Sequence, residues 1–375
     1  MLPAAVYDVV DGAAEREVTA ARNVDAFGEL VWRQPVGVAV DTVDTRTTLF
    51  GRTLAAPLLT APCGLVGASH PDAEPGVFRA AAERGLGAVL STTATRSLEQ
   101  VAREGGHPHG WFQCYFAGGR AGAEQLLARA RSAGYEGLVL TLDTPVAGVR
   151  HRDARHGLSL PMTYSPAAMA RLAPQVLARP RWAARVARHP STLGIGNRVH
   201  GLPDGGMGTL FDQPPTWADL AWIREAWDGP ILVKGITLPD DAYRAVAAGA
   251  DGVIVSNHGG RQLDGAPATL RALPVIRSVV AGAVPVLFDG GIRSGADIAR
   301  AIALGADAVL VGRPYLYGVA VAGEYGAARV LDLLCCELEQ TMRLLGAPDL
   351  AALREVPIGW GARYDDTTMD EEWWR

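Results

Sequence analysis

ILVKG at Ile231–Gly235, GVIVSN at Gly252–Asn257, VPVLFDGG at Val284–Gly291 and AVLVG at Ala308–Gly312 are short apolar runs that end in polar residues or glycine. Runs of this length, rich in Val, Ile and Leu, suit strands buried on both faces of a parallel sheet. Four more precede them: PLLTAP (Pro57–Pro62), AVLST (Ala88–Thr92), WFQCYF (Trp111–Phe116) and GLVLTLD (Gly137–Asp143). Helix-like stretches lie between, at Val77–Arg84, Leu98–Glu104, Glu124–Ala133, Asp240–Ala248, Ala296–Leu304 and Ala327–Leu345. Eight strand–helix units predict an α/β protein of the (β/α)8 TIM-barrel class. The rival is a doubly wound open sheet. Against it, no G-x-G-x-x-G follows the first strand, and polar residues end nearly every strand, as an active face built from many strand ends requires.

Outward from the strands, residues 1–56 read as a short N-terminal extension, 57–345 as the barrel and 346–375 as a C-terminal tail, all in one domain of 375 residues. The fourth connection, from about Val146 to Pro230, is far longer than an ordinary loop and helix, and about 151–215 reads as an insertion. It contains one clear helix, Thr216–Trp227, with Thr216 as its N-cap ahead of Asp219; the rest is Pro- and Gly-rich. Residues 154–203 carry seven arginines and no carboxylate, which suits a solvated mobile lid, or contact with an acidic partner or a membrane surface. The acidic end, Asp365–Arg375 (DDTTMDEEWWR), reads as a loose tail or a packing peg.

Composition narrows the function classes. Hydrophobic residues are 49% and charged residues 20%, enough for a large core. Lys+Arg 35 against Asp+Glu 40 gives −5, so no basic field attracts nucleic acid. No signal-peptide pattern and no apolar stretch of membrane-spanning length are present, and a cytoplasmic location is expected. Cys63, Cys114, Cys335 and Cys336 have no metal-ligand spacing, so reduced thiols and no metal are expected.

Ser256-Asn257-His258-Gly259-Gly260-Arg261-Gln262-Leu263-Asp264 follows the sixth strand. A titratable base three residues from a fixed fork of donors suits proton removal from a substrate whose carboxylate is clamped. After the seventh and eighth strands come Asp289-Gly290-Gly291-Ile292-Arg293 and Val311-Gly312-Arg313-Pro314. Glycines there let backbone N–H groups approach an anion, a helix starting near Ser294 adds its positive end, and two arginines can pair with phosphate. Lys234 ends the fifth strand facing the barrel mouth. Alternation puts Gln113 with Tyr115, and Thr141 with Asp143, on one face, and Asp143 is placed to orient His258. Ser91, Thr92 and Thr93 offer neutral hydrogen-bonding groups.

SNHGGRQLDG (256–265), DGGIRSG (289–295) and GRPYLYG (312–318) at these distances resemble the FMN-dependent α-hydroxy-acid oxidase/dehydrogenase family, from Tyr7 to about Gly346. The resemblance implies FMN as cofactor and His258 as active-site base, with Asp143 (in TLDTP) behind it. It implies Arg261 and Arg150 (in GVRHRD) as substrate-carboxylate ligands and Tyr115 (in WFQCY) as a substrate-binding tyrosine. Gln113, Thr141, Lys234, Ala61-Pro62-Cys63 and, more loosely, Ser91 and Thr92 match flavin-ring contacts. Asp289, Gly290, Gly291, Arg293, Gly312 and Arg313 match the ribityl and phosphate contacts. The implied reaction is oxidation of an L-2-hydroxy acid to the 2-oxo acid, with hydride to flavin N5 and reoxidation by O2 or by a quinone or protein acceptor. A homo-oligomer, tetramer or octamer, goes with it.

Two departures matter. Where the family has a tyrosine that donates to the substrate carboxylate, Val6-Tyr7-Asp8-Val9-Val10 puts Val9, which implies a bulkier or specialised acid. The insertion is more similar to membrane-associated lactate dehydrogenases and to flavoproteins of peptide-cofactor maturation; the latter lack the arginine kept here as Arg261. Oxidation of a C–N or peptide-derived substrate is thus the first alternative, and a non-redox barrel binding a phosphorylated ligand the second.

Overall fold

The structure, a computed structural model, describes residues 2–106, 110–158 and 166–361. Eight parallel strands close into a barrel in chain order: β1 (Leu58–Thr60), β2 (Gly87–Leu90), β3 (Gly110–Cys114), β4 (Gly137–Thr141), β5 (Ile231–Ile236), β6 (Gly252–Val255), β7 (Val286–Asp289) and β8 (Ala308–Val311). Closure is made by β8 against β1, with Val309 opposite Leu58 and Val311 opposite Thr60. The expected TIM barrel is the fold found, and its strands are apolar except at their C-terminal ends, because both faces are covered.

Two cores result. Inside the barrel, Leu59, Val89, Trp111, Val139, Leu232, Ile254, Leu287 and Leu310 fill the lumen. Outside, alternate strand residues such as Leu58, Phe112, Leu138, Val233, Val253 and Phe288 pack beneath the helices. The lumen is plugged at the N-terminal end of the strands by the hairpin Thr47–Leu49/Arg52–Leu54, whose Leu49 and Leu54 join the inner core. Phe50 lies against Trp111 with ring centroids 5.3 Å apart. The opposite mouth is left to chemistry.

Helix α1 (Ala4–Asp11) borders that mouth through Val6, Val9 and Val10, and helix α2 (Val18–Gly28) runs from the turn after β6 to the outer core, where Phe27 lies edge-on to Phe288. The tail up to Gly361 is folded: the helix Leu350–Glu355 leads to a strand, Ile358–Trp360, paired antiparallel with Leu30–Trp32. Asp365–Arg375 lies outside the described residues.

The insertion is more helical than its Pro and Gly content implies. It holds α3 (His151–Arg155), α4 (Pro166–Leu177) and α5 (Pro180–Arg188). Pro166 and Pro180 sit at first turns, where the missing N–H costs nothing. The next helix begins at Asp219, not Thr216. The Thr216 N–H and hydroxyl both donate to Asp219 Oδ2 at 2.8 Å, so the aspartate accepts and the threonine does not cap. By contrast, Ser294 does cap the helix Gly295–Ala303, in a reciprocal box with Asp297. The long helix after β8, α6 (Arg313–Leu344), is interrupted at Ala322–Gly323. Among the described residues no helix is long and apolar enough to cross a membrane.

Because Trp111 is the largest lumen side chain and lies at the plugged end, Trp111→Ala should destabilise the fold by about 3–5 kcal/mol. A thermal-unfolding midpoint within a degree of wild type would show that the plug does not depend on it.

Candidate active site at the barrel mouth

Parity along each strand decides what faces the mouth. Counting in twos from the lumen residues gives Ala61 and Cys63 after β1, Ser91 and Thr93 after β2, Gln113 on β3 with Tyr115 just after it, Thr141 on β4 with Asp143 just after it, Lys234 on β5, Ser256 and His258 after β6, Asp289 on β7 and Gly312 after β8. Of these, Ala61, Cys63, Ser91, Thr93, Tyr115, Lys234, His258, Asp289 and Gly312 line one cavity of about 530 Å3, together with Pro62, Arg150, Arg261, Gly290, Gly291, Arg293 and Arg313, while Gln113, Thr141, Asp143 and Ser256 lie outside its lining. That size suits a cofactor with a substrate rather than a small acid alone. Thr92 has the opposite parity. Its hydroxyl donates to the Gln113 carbonyl at 2.7 Å and accepts from the Tyr115 N–H at 2.9 Å, so it stitches β2 to β3 and does not face the cavity.

His258 is the centre. Its Nδ1 lies 3.0 Å from Asp143 Oδ1, and its Nε2 lies 3.4 Å from the Tyr115 hydroxyl. Asp143 therefore holds the Nδ1–H tautomer and leaves Nε2 free as a base. Burial pushes the Asp143 carboxyl up, but His258 and Lys234 outweigh it and hold it below the usual carboxylate range. Burial pushes the Tyr115 phenol up, so it stays a donor. The backbone of His258 is left-handed, φ +59°, a conformation that costs a non-glycine residue of order 1–3 kcal/mol. It is held by Ser256 Oγ, which accepts the His258 N–H at 3.0 Å. Beside it, Asn257 and Asn23 of α2 exchange amide hydrogen bonds of 2.8 and 2.9 Å. Gly260 closes this turn at φ +75°, where a Cβ would lie 2.5 Å from the Ala20 nitrogen.

Lys234 is buried, donates to Ser256 Oγ at 2.7 Å and pairs with Asp289 Oδ2 at 3.0 Å. Burial opposes its charge, but Asp289 and Asp143 raise its pKa. The next residue, Gly235, forms a bulge at φ +106°, and a Cβ there would meet Asp143 Cβ at 2.6 Å. Only glycine lets β5 bring Lys234 this close to Asp143.

Three guanidiniums crowd the other side. Burial lowers the pKa of Arg150, and burial with the neighbouring Arg150 and Arg313 brings Arg261 down to about 9. Arg313 donates to the carbonyls of Asp11, Gly259 and Gly12 at 3.0, 3.0 and 2.8 Å. Such a group is relieved by an anion.

Several buried polar atoms lack a protein partner: Gln113 Nε2, Thr141 Oγ1 and Asp289 Oδ1. Together they suit a ligand with a heteroatom-edged ring and a hydroxylated chain. For an anion the structure corrects one expectation. The N–H groups at the start of Gly295–Ala303 are engaged: Arg293 and Ser294 donate to Asp297 Oδ2, and Gly295 to Glu337 Oε2. The uncapped N-terminus is that of α6 at Gly312–Arg313, which with Arg293 and the Gly290–Gly291 turn offers the positive seat.

Sequence reasoning missed Asn23 and the Asp11–Gly12 turn. Neither has a local signal, since Asn23 and Asn257 are separated by 234 positions.

Comparison with known proteins agrees with this architecture. The family model described as FMN-dependent dehydrogenase matches residues 1–358. An L-lactate dehydrogenase of Caulobacter vibrioides (strain NA1000 / CB15N) is 44% identical over 364 residues, covering 95% of this chain and 93% of the relative. One of Stenotrophomonas maltophilia (strain R551-3) is 43% identical, covering 93% of each. Among solved structures, the monotopic membrane protein (S)-mandelate dehydrogenase superposes with TM-score 0.89 at 36% identity, and a mandelate oxidase with (S)-4-hydroxymandelic acid with TM-score 0.82 at 34%; each pair covers 96% of both chains. The chain therefore belongs to the FMN-dependent dehydrogenase family.

Proposed function

We propose that the protein oxidises a 2-hydroxy acid to the 2-oxo acid with FMN as its cofactor. The observation that carries the reading is His258, with Nδ1 paired to Asp143 and Nε2 facing Tyr115, in one cavity with Arg150 and Arg261. Arg150 and Arg261 take the substrate carboxylate. Tyr115 donates to the substrate. His258 Nε2 accepts the hydroxyl proton, and Asp143 stabilises the resulting imidazolium through Nδ1. Gln113, Thr141, Lys234, Ser91 and Ala61-Pro62-Cys63 would hold the flavin ring, Asp289 the ribityl chain, and Gly290, Gly291, Arg293, Gly312 and Arg313 the phosphate. FMN, when bound, supplies the acceptor for the two electrons lost by the substrate. Lys234 provides fixed positive charge beside it.

Val9 lines the cavity together with Val6, Val10, Leu158, Leu193 and Phe211. An apolar wall where a donor would tighten a small acid favours an aryl or long-chain substrate. The reading further places the reaction in the cytoplasm, in a homo-oligomer that passes electrons to O2 or to a quinone or protein acceptor. Arg171, Arg179, Arg181, Arg185 and Arg188 on or beside α4 and α5, with exposed Leu177 and no carboxylate over 154–203, support contact with an anionic membrane surface.

Three measurements test this. Anaerobic titration of the FMN-loaded protein should bleach the flavin bands with aryl or long-chain 2-hydroxy acids more readily than with glycolate or lactate. A preference for glycolate overturns the specialised substrate, bands that persist with every acid shift the reading to a C–N substrate, and failure to bind FMN removes it. His258→Ala should keep the flavin spectrum and lose turnover by about 10²–10⁴-fold; near-normal turnover would exclude His258. Val9→Tyr should shift kcat/KM toward lactate over mandelate by about tenfold or more, as one added hydrogen bond to a charged group is worth roughly 1.5–3 kcal/mol. An unchanged ratio would show that Val9 does not shape the pocket.

A further inference from the structure

We propose that Arg152, which does not line the cavity, is a positioning residue for substrate-carboxylate binding: it fixes the Asp11–Gly12 turn that aims Arg261. The inference rests on the reading that Arg150 and Arg261 receive a carboxylate.

The turn follows the last residue of α1. Its Gly12 carbonyl accepts Arg261 Nη1 at 2.6 Å and Arg313 Nη2 at 2.8 Å, while the Asp11 carbonyl accepts Arg313 Nε at 3.0 Å. One peptide unit thus sets the direction of two buried guanidiniums, and a planar guanidinium with one N–H fixed has its remaining donors aimed. The same segment is stitched to both loops that carry the carboxylate ligands. The Ala14 N–H donates to the Gly260 carbonyl, next to Arg261, and the Glu15 N–H to the Val149 carbonyl, next to Arg150, each at 2.8 Å.

The turn needs an outside hold. It sits at the negative end of α1, and the side chains around it are Asp8, Asp11 and Glu17. Arg152 answers all three from α3. Nη1 donates to Asp11 Oδ2 at 2.7 Å and lies 3.7 Å from Asp8 Oδ1, and Nη2 donates to Glu17 Oε2. Glu17 in turn accepts the Ala13 N–H at 3.0 Å. Tyr317 of α6 donates to the other Asp11 oxygen at 2.6 Å, and His156 lies 2.7 Å from Asp8. Burial raises the Asp11 carboxyl, yet Tyr317 and Arg152 hold it below its ordinary value. Arg152 is two residues from Arg150 on the same short segment, so one side chain couples both carboxylate ligands to α1. Without it, Asp11 and Glu17 repel across the turn and the Gly12 carbonyl is free to swing. His258, Asp143 and Tyr115 are tied instead to Ser256, β3 and β4, so the base is spared. The defect therefore falls on binding, not on proton transfer. Arg152 is about one-third exposed, so its replacement strands no deeply buried charge.

The test uses the full FMN-loaded chain carrying Arg152→Gln, with Arg152→Lys and Glu17→Gln alongside. Oxalate, which has no hydrogen to lose, reports anion binding by perturbing the flavin spectrum. Steady-state rates are taken with the best 2-hydroxy acid and with its neutral 2-hydroxy amide. In Arg152→Gln the oxalate Kd and the KM for the acid should rise tenfold or more, kcat should fall less than threefold, and kcat/KM for the amide should stay within twofold. Arg152→Lys should recover part of the affinity, and Glu17→Gln should weaken it in the same direction. Unchanged oxalate affinity in Arg152→Gln, or acid and amide rates that fall together, overturns the proposal. If Arg152→Gln does not hold FMN, the decision passes to Glu17→Gln, in which unchanged oxalate affinity overturns it. Wild-type protein that binds FMN but no oxalate overturns the carboxylate reading itself.

Discussion

Six cationic side chains, Arg150, Arg198, Lys234, Arg261, Arg293 and Arg313, line one cavity at the barrel mouth. Cations of this kind are stable in a protein interior only when charge and hydrogen bonds answer them. Lys234 is answered internally by Asp289 and Ser256, and Arg313 is met by three backbone carbonyls. Arg150 and Arg261 are met less well: Arg150 stands 3.7 Å from Asp153, beyond hydrogen-bond range, and its Nε has no partner. The imbalance is distributed in space, with one positive group near His258 and another at the start of α6. A site built this way is completed by two anions, one for each group, and the barrel's other features serve to keep the charges in place.

The barrel and most of the mouth could be read from the chain alone because both follow from period-two geometry. Once the lumen residues of a strand are known, the residue two places on faces the mouth, and Gln113, Thr141, Lys234 and His258 follow from that rule. Thr92 shows its edge: adjacent to Ser91 but of opposite parity, it bonds strand to strand. The insertion was harder, since Pro166, Pro174 and Pro180 mark loops by composition yet two of them open helices. The helix start near Ser294 was expected to lend its positive end to an anion, but the capping box that stabilises Gly295–Ala303 also consumes the N–H groups an anion would use. The contacts of α1 and α2 with the mouth had no signal, for they depend on carbonyls and amides whose partners lie hundreds of residues away.

His258 shows what the extension contributes to chemistry. A left-handed histidine is strained, and the strain persists only where neighbours over-determine it. The Asn23–Asn257 amide pair, the contact of Gly260 with α2 and the Ser256 hydroxyl together leave the loop no alternative conformation. The reward is that Nδ1 meets Asp143 while Nε2 looks into the cavity, so the base is oriented before any substrate arrives.

The helix α1 joins two properties usually treated apart. Its Val6, Val9 and Val10 form an apolar wall of the cavity, and the peptide at its C-terminal end aims Arg261. A shift of the helix toward or away from the barrel axis would therefore alter the room for the substrate's side chain and the angle of its carboxylate clamp in one movement. Val9 offers no hydrogen bond to an acid, so on the proposed reading the carboxylate's anchoring falls to Arg150 and Arg261. On that reading Arg150, Arg261 and Tyr115 would hold the acid, and the fidelity of that hold would depend on a turn whose own stability is electrostatic. Substrate size and carboxylate recognition are then not independent variables in this protein, because a single short helix, tethered through Asp8 and Asp11, sets both.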